Sequence, residues 1–202
     1  MKKFSVNVIA EISIFAAIGF ILDLVAEMMP KPWGNGGSIG IAMVAIFIIG
    51  YRRGTIPAII CGLLIGLLDM SSQLYSISDT WYNMLLQVSL DYWIGYTLVG
   101  VGVLFFLFAR KSTGFVKYSW ISLGVFIGAF LKFSAHWLSG LIFFSYAAPE
   151  GTSKYWYTTT YNGGYMLPSF VLTLIIMLII AVRYENEVLI PTDQSKLHGK
   201  LA

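Results

Sequence analysis

Two basic side chains lie inside a long apolar stretch of the sequence. Lys132 and His136 occur in LKFSAHWLSGLIFF, and their four-residue spacing places them on one face of a helix. A charged group in hydrocarbon costs several kcal/mol unless it faces a cavity or a partner. The sequence therefore predicts that both side chains point into a helical bundle and line a pocket. For His136, a core histidine bonded to a backbone carbonyl is the alternative.

A carboxylate lies in a second apolar stretch. Asp91 is followed by Tyr92 in SLDYWIGYTLVG. One interpretation is structural, as an ion pair with Lys132 or a hydrogen-bonded core carboxylate. The interpretation we favour is a counter-ion for a cationic ligand, because carboxylates inside membranes usually have a function. A carboxylate, a cation and aromatic rings together suit a ligand that has a positive charge and hydrogen-bonding edges.

The polar segments at 29–38, 72–81 and 147–162 are rich in aromatic residues. Their tyrosines and tryptophans are Trp33, Tyr75, Trp81, Tyr155, Trp156, Tyr157 and Tyr161. Such residues commonly form a belt where helices leave the membrane. The run from Tyr155 to Tyr157, however, is predicted to lie in the middle of a loop, where aromatic side chains are suited to fold over a ligand.

The composition is that of an integral membrane protein. Of 202 residues, 57% are hydrophobic and 11% are charged, a balance that a soluble core of this size does not need. Apolar runs near the length of a transmembrane helix predict an all-α, six-helix bundle. The predicted spans are 7–28, 38–50, 55–71, 82–109, 118–146 and 164–182. The second run is too short to cross upright, so it is either partly broken or lengthened by the preceding loop.

The basic residues predict the orientation of these spans. In a six-span arrangement one side holds Lys2, Lys3, Arg52, Arg53, Arg110, Lys111, Lys117, Arg183, Lys196 and Lys200. Only Lys31 and Lys154 fall in loops on the other side. Both termini are therefore expected in the cytoplasm, with the cell membrane as the location. Residues 1–184 form the predicted transmembrane domain, and residues 185–202 a polar cytoplasmic tail that frays from Tyr184.

Several classes of function are not supported by the sequence. It has no phosphate-binding loop and no HExxH or GxSxG motif, so neither ATP hydrolysis nor another enzymatic activity is expected. No metal site is predicted, and the basic residues at span ends orient the chain rather than bind nucleic acid. Four acidic residues near span ends are expected to be solvated or to snorkel: Glu11, Asp23, Glu27 and Asp69.

Small residues in the first span indicate a helix contact. Ser13 and Ala17 are four residues apart, with Ala10 on the same face. This spacing allows close approach of another helix, either in the same bundle or in another subunit.

The residues just described, with the YRRG turn at Tyr51–Gly54 and the segment from Tyr157 to Asn162, resemble a known family. The chain is similar over about residues 10–182 to the thiamine-specific substrate-binding subunits (S components) of energy-coupling-factor vitamin transporters. The most specific part is the lysine, histidine and glycine pattern of LKFSAHWLSGLIFF and its distance to Asn162. The resemblance implies a six-helix bundle that binds thiamine at the outer face with high affinity.

The resemblance also implies partners and site residues. The partners would be a transmembrane scaffold subunit and two cytoplasmic ATPases, which use ATP while this chain needs no cofactor. The residues that match the family's ligand-binding positions are Trp33, Asp91, Tyr92, His136, Phe144, Tyr157 and Asn162. Lys132 would stand behind them, and Ser13 and Ala17 match the motif that meets the scaffold.

Two positions depart from the family pattern. Asp91 stands where the family usually has glutamate, and Phe144 where it usually has tryptophan. Asp91 keeps the negative charge and Phe144 keeps an aromatic ring, but both side chains differ in size from the usual residue, so the size of the pocket changes. A pyrimidine precursor or a thiamine analogue is therefore an alternative ligand. The other alternative is a stand-alone carrier or channel for a small organic cation, with Asp91, Lys132 and His136 as a relay.

Overall fold

The computed structural model describes residues 4–33 and 36–191, and every regular element within them is helical. Six helices follow one another, and a short π-helical turn, Glu185–Leu189, comes after them. The helices are α1 (Val6–Glu27), α2 (Met43–Arg53), α3 (Thr55–Gln73), α4 (Trp81–Ala109), α5 (Gly114–Ala147) and α6 (Lys154–Arg183). The prediction of an all-helical chain is thereby confirmed for this part. Lys2, Lys3, Lys196 and Lys200 lie outside the described residues.

Five of these helices are long and apolar enough to cross a membrane, and α2 is the exception. Its 11 residues span only about 16 Å at a rise of about 1.5 Å per residue. Residues 36–41, just before it, are not helical. Ile46, Phe47 and Ile49 of α2 are completely buried, so this short helix lies at the centre of the bundle. The second apolar run is thus helical only from Met43, with non-helical chain before it.

Glycines allow α3 and α4 to pack with their backbones in contact. A Cβ atom on Gly66 would overlap the carbonyl oxygen of Tyr92, and one on Gly62 would overlap that of Tyr96. Small residues repeated every four positions are typical of such close helix contacts in membranes. This packing fixes Tyr92 and Tyr96 beside α3.

Two helices depart from α-helical geometry where the candidate site residues lie. In α4, residues Ser89–Ile94 form a π-helical turn that contains Asp91. In α5, residues Gly140–Phe144 form another, which ends in Phe144. The wider turn changes the direction of the side chains that follow, and π-turns are frequent at functional sites.

Helix α6 begins earlier than the sequence predicted. It starts at Lys154, directly after Ser153, so Tyr155, Trp156 and Tyr157 lie in its first two turns. The prediction that these aromatic residues occupy the middle of a loop is therefore wrong. The helix continues without a break from Lys154 to Arg183, through Pro168. Tyr155 stacks on Trp137 of α5, with the ring centroids 6.3 Å apart.

An ionic cluster closes one end of the bundle, and we call it the basal ion cluster. The Glu11 carboxylate accepts hydrogen bonds from Arg52 and Arg53, at 2.9 and 2.7 Å from their Nη2 atoms. The Glu185 carboxylate is paired with Lys117 and accepts a hydrogen bond from the Tyr51 hydroxyl. The expectation that Glu11 is solvated or snorkels is therefore wrong, because two guanidinium groups hold it.

The terminal turn packs against this cluster. Leu189 is buried, and the carbonyl oxygen of Val188 accepts a hydrogen bond of 2.6 Å from Arg52. The expected fraying from Tyr184 is therefore wrong as far as residue 191. Residues 192–202 of the predicted tail lie outside the described part of the chain.

Candidate ligand-binding site

A cavity of about 690 Å³ lies near the end of the bundle away from the basal ion cluster. All six helices and the segment 36–42 contribute to its wall. Its volume is within the range of small-molecule sites. The predicted site residues on its lining are Asp91, Tyr92, Lys132, His136, Phe144, Tyr157 and Asn162. The sequence predicted that Asp91, His136 and Asn162 belong to one site. These three residues lie on three different helices, and all of them line this cavity.

Asp91 faces His136 across the cavity wall. The distance from Asp91 Oδ1 to His136 Nδ1 is 3.8 Å, which is too long for a hydrogen bond. No lysine or arginine of residues 4–33 and 36–191 lies within 4 Å of this carboxylate, so the structural ion pair with Lys132 is absent there. The geometry leaves a negative charge in the wall that a cationic ligand can neutralise.

Aromatic rings form much of the remaining wall. Phe144 stacks on Tyr75 with ring centroids 6.3 Å apart and planes 16° from parallel. Tyr157 lies against Tyr161, with centroids 5.9 Å apart. The Tyr92 hydroxyl donates to the carbonyl of Gln73 and accepts from the amide of Tyr75, which ties the end of α3 to α4. Flat walls of this kind suit a flat, ring-containing ligand.

Asn162 is held in place by its own helix. Its Oδ1 accepts a hydrogen bond of 2.6 Å from the Tyr165 hydroxyl, and its Nδ2 donates to the carbonyl of Thr158. The side chain is buried and lies close to Gly140 of α5, where a Cβ atom would be 3.0 Å from Nδ2. One amide hydrogen remains for a ligand.

Two residues that line the cavity carry unpartnered polar atoms. His136 Nε2 and Thr158 Oγ1 are buried and form no hydrogen bond within the part of the chain that the structure describes. Buried polar groups normally have partners, so such atoms indicate a place where a ligand or water completes the bonding. Among these same residues no group of three or more His, Cys, Asp or Glu side chains could hold a metal ion.

Trp33 does not line the cavity. Its indole Nε1 donates a hydrogen bond of 2.9 Å to the carbonyl of Tyr161, and its ring packs over Gly164 on α6. About half of the side chain is exposed. Stacking of Trp33 on a ligand stays a prediction that this arrangement does not favour, because the ring is already engaged on the outside of α6.

The sequence analysis missed an acidic group in the same cavity. Asp23 and Glu27 of α1 and Asp69 of α3 all line it, and Asp23 is only 7% exposed. The expectation that these residues are solvated or snorkel is therefore wrong for Asp23. One signal was available: Asp23 lies on the same helical face as Ala16 and Gly19, small residues that mark the buried side of α1.

Membrane-length apolar helices around a polar, aromatic-lined cavity define an integral membrane protein suited to bind a small polar ligand. Residues 9–189 match the family described as "Thiamine transporter protein (Thia_YuaJ)", and the chain belongs to this family. The family is one of multi-pass cell-membrane transporters and not of enzymes.

Individual relatives agree with this assignment. The chain is 36% identical over 175 residues to the thiamine transporter ThiT of Bacillus subtilis, covering 83% of this chain and 86% of the relative. It is 32% identical to ThiT of Lacticaseibacillus paracasei, covering 84% of each. A solved structure of ThiT from Listeria monocytogenes has the same fold, with a TM-score of 0.78 at 21% identity. The match covers 92% of this chain and 98% of that one.

Proposed function

We propose that this chain binds thiamine in the cavity and acts in thiamine uptake as the S component of an energy-coupling-factor transporter. Thiamine carries a permanent positive charge on one ring and a hydrogen-bonding edge on the other. The observation that carries the proposal is Asp91, a carboxylate in an aromatic-lined wall with no lysine or arginine of the described residues within 4 Å. Membership of the thiamine transporter family supports it.

The binding mode follows from the wall of the cavity. Asp91 neutralises the positive ring, and Tyr92 and Phe144 supply aromatic surface for stacking. His136 and Asn162, with Tyr157, bind the hydrogen-bonding edge. Trp33, whose indole donates to the Tyr161 carbonyl, stays a predicted contact of the ligand beside this wall.

The topology in the membrane has six crossings and both termini in the cytoplasm. The four non-helical residues 38–41 add at most about 13 Å to the roughly 16 Å of α2, which together approach the about 30 Å of hydrocarbon. Arg52, Arg53 and Lys117 of the basal ion cluster lie at the cytoplasmic end, in agreement with the positive-inside rule. The cavity then receives its ligand from outside.

The partner subunits are a transmembrane scaffold and two cytoplasmic ATPases. The Ser13 and Ala17 face of α1 is exposed in the isolated chain, next to the exposed apolar residues Ile14 and Ile18. It therefore does not pack within this bundle, and the scaffold is the partner we assign to it. The absence of a phosphate-binding loop from the sequence fits an ATPase on other chains.

Two measurements test this function. Mass spectrometry of material bound to the purified protein, followed by calorimetry with thiamine and with its separate pyrimidine alcohol, identifies the ligand. We expect thiamine to bind much more tightly than the pyrimidine alone. Uptake by cells is then measured with and without co-expressed scaffold and ATPase subunits. Uptake by this chain alone, independent of ATP, would instead indicate a stand-alone carrier.

A further inference from the structure

A glutamine near the start of α4 is completely buried. Gln87 has no exposed surface, and it lies four residues before Asp91, on the same face of the helix. It is not one of the residues that line the cavity. A buried amide side chain is costly unless its donor and acceptor groups form hydrogen bonds. The partners of the Gln87 amide therefore indicate what this residue does.

These partners belong to residues 74–80, the segment between α3 and α4, which we call the strap. The Gln87 Oε1 atom accepts hydrogen bonds from the Ser76 hydroxyl at 3.1 Å, the Ile77 amide at 3.2 Å and the Ser78 hydroxyl at 3.2 Å. A backbone amide can only donate, so Ile77 determines which end of the Gln87 side chain is the oxygen. One side chain thus binds three consecutive residues of the strap.

The strap residue Tyr75 is held on both sides of its backbone. Its carbonyl oxygen accepts a hydrogen bond of 3.4 Å from Gln87 Nε2, and its amide donates one of 3.0 Å to the Tyr92 hydroxyl. The π-helical turn Ser89–Ile94 lies between Gln87 and Tyr92. Because a π-turn joins residues five apart, it keeps these two side chains on the face of α4 that meets the strap.

The Tyr75 ring forms part of the cavity wall. It lines the cavity and stacks on Phe144, with the ring planes 16° from parallel. The residue is 61% exposed, so the packing around its own side chain does little to fix the ring. The position of the ring therefore depends on the hydrogen bonds that hold the strap, and Gln87 makes four of them.

Resting on the proposed thiamine site, we propose that Gln87 is a positioning residue for ligand binding. It does not touch the ligand, and it acts by holding the Tyr75 ring beside Phe144 in the cavity wall. A strap that is ordered before the ligand arrives does not have to be ordered on binding, which improves the affinity. Without Gln87 the ring spends less time in place, and the apparent affinity falls in proportion.

A double-mutant cycle tests this role. Gln87→Leu keeps the approximate size of the side chain and removes its hydrogen bonds, and Tyr75→Ala removes the ring. Calorimetry on the purified protein measures the Kd of thiamine for the unmodified chain, both single variants and the double variant. We expect Gln87→Leu alone to raise the Kd by about tenfold, comparable to the loss of one aromatic stacking contact.

The double variant separates positioning from a general loss of structure. When Tyr75→Ala has already removed the ring, Gln87→Leu should change the Kd by less than about twofold, because it no longer has a ring to position. A purely structural role would give the same fold-change with and without the ring. That outcome, or an unchanged Kd in a folded Gln87→Leu protein, overturns the positioning role and leaves the proposed function intact. Failure of the unmodified protein to bind thiamine overturns both.

Hydrogen–deuterium exchange gives a direct view of the strap. In the unliganded Gln87→Leu protein we expect the amides of residues 75–78 to exchange about tenfold faster or more, while the rest of α4 exchanges as before. Faster exchange along the whole of α4 would instead mean that the helix itself is destabilised, and would overturn the proposal.

The matched control is Asn83→Leu, which makes the same change from an amide to leucine one turn earlier on α4. Asn83 is exposed, so neither the Kd of thiamine nor the exchange of the strap should change. If Gln87→Leu does not fold, Ser76→Ala with Ser78→Ala removes two of the same hydrogen bonds from the side of the strap. This pair should raise the Kd in part, and again only while Tyr75 is present.

Discussion

Asp91 places a negative charge on the cavity wall, and its environment predicts a charge-specific effect on binding. Asp91→Asn keeps the size of the side chain and removes the charge. No lysine or arginine of the described residues lies within 4 Å of this carboxylate, so a cationic ligand is the charged partner that loses its attraction. We expect thiamine to lose more than about 1 kcal/mol of binding free energy, measured by calorimetry.

The neutral pyrimidine alcohol of thiamine provides the internal comparison. Its affinity should change little in Asp91→Asn, because it has no positive ring to neutralise. Asp79→Asn, at an exposed loop position, controls for the charge of the protein as a whole. Equal losses for the cation and for the neutral alcohol would mean that Asp91 shapes the pocket rather than pairs with charge.

At the scale of single residues, spacing predicted part of the cavity and missed the rest. Lys132 and His136 could be assigned to one inward face, because a charged group in mid-span has few other places to go. Asp23 and Asp69 lie near span ends, where a carboxylate can reach either the headgroups or the interior. The rotation of each helix about its axis decides between these, and tertiary packing sets that rotation. The position of the Trp33 ring likewise depends on the path of the chain between α1 and α2, which the sequence does not determine.

Among the helices, the contact of α3 with α4 depends on glycine. Gly66→Ala puts a Cβ atom onto the Tyr92 carbonyl, with the carbonyl carbon 2.9 Å away, and neither backbone can move aside cheaply. We expect a loss of roughly 1–3 kcal/mol in stability and weaker thiamine binding, because Tyr92 is displaced. Thermal unfolding in detergent and calorimetry measure the two effects.

Gly163→Ala is the matched control in α6. A Cβ atom there has no neighbour within 4 Å, so alanine should be tolerated or slightly stabilising. If both variants melt at the same temperature as the unmodified protein, the close contact of α3 and α4 is not required for stability.

The outer face of α1 gives a second prediction for a single helix. Ser13→Leu enlarges a residue on the face proposed to meet the scaffold. Ser119→Leu makes the same change on α5, where the exposed serine also bonds to the carbonyl four residues earlier. We expect both variants to bind thiamine normally, and only Ser13→Leu to lose co-purification with the scaffold and ATP-dependent uptake. Equal retention of the scaffold by both would assign docking to another face.

Helix existence was predictable from sequence, whereas helix ends were not. Runs of about 20 apolar residues have few alternatives to a membrane helix, and five such helices are present in the described part of the chain. The start of α6 at Lys154 was missed because polar and aromatic residues there carry no apolar pattern. The six-residue stretch before α2 is non-helical, and its sequence, rich in glycine, indicated only an interruption.

At the scale of the whole molecule, the two ends of the bundle have different roles, one in binding and the other in stability. One end encloses a cavity with unpartnered polar atoms, and the other holds paired charges that join α1, α2, α5 and the terminal turn. Unpartnered groups leave room for a ligand, whereas paired groups fix helices relative to one another. Stability and binding should therefore respond to different substitutions.

Glu11→Gln tests this separation at the basal ion cluster. The change removes the carboxylate that Arg52 and Arg53 share, and their side chains are only 12% and 8% exposed. We expect stability to fall by roughly 1–3 kcal/mol, less than for a fully buried pair because the cluster lies at the edge of the bundle. Thiamine affinity should stay within about threefold, since the cavity is at the other end.

Glu187→Gln, an exposed position in the same terminal turn, is the control and should alter neither stability nor thiamine affinity. If Glu11→Gln weakened thiamine binding as strongly as it lowered the melting temperature, the two ends would be coupled, and the basal ion cluster would belong to the binding mechanism.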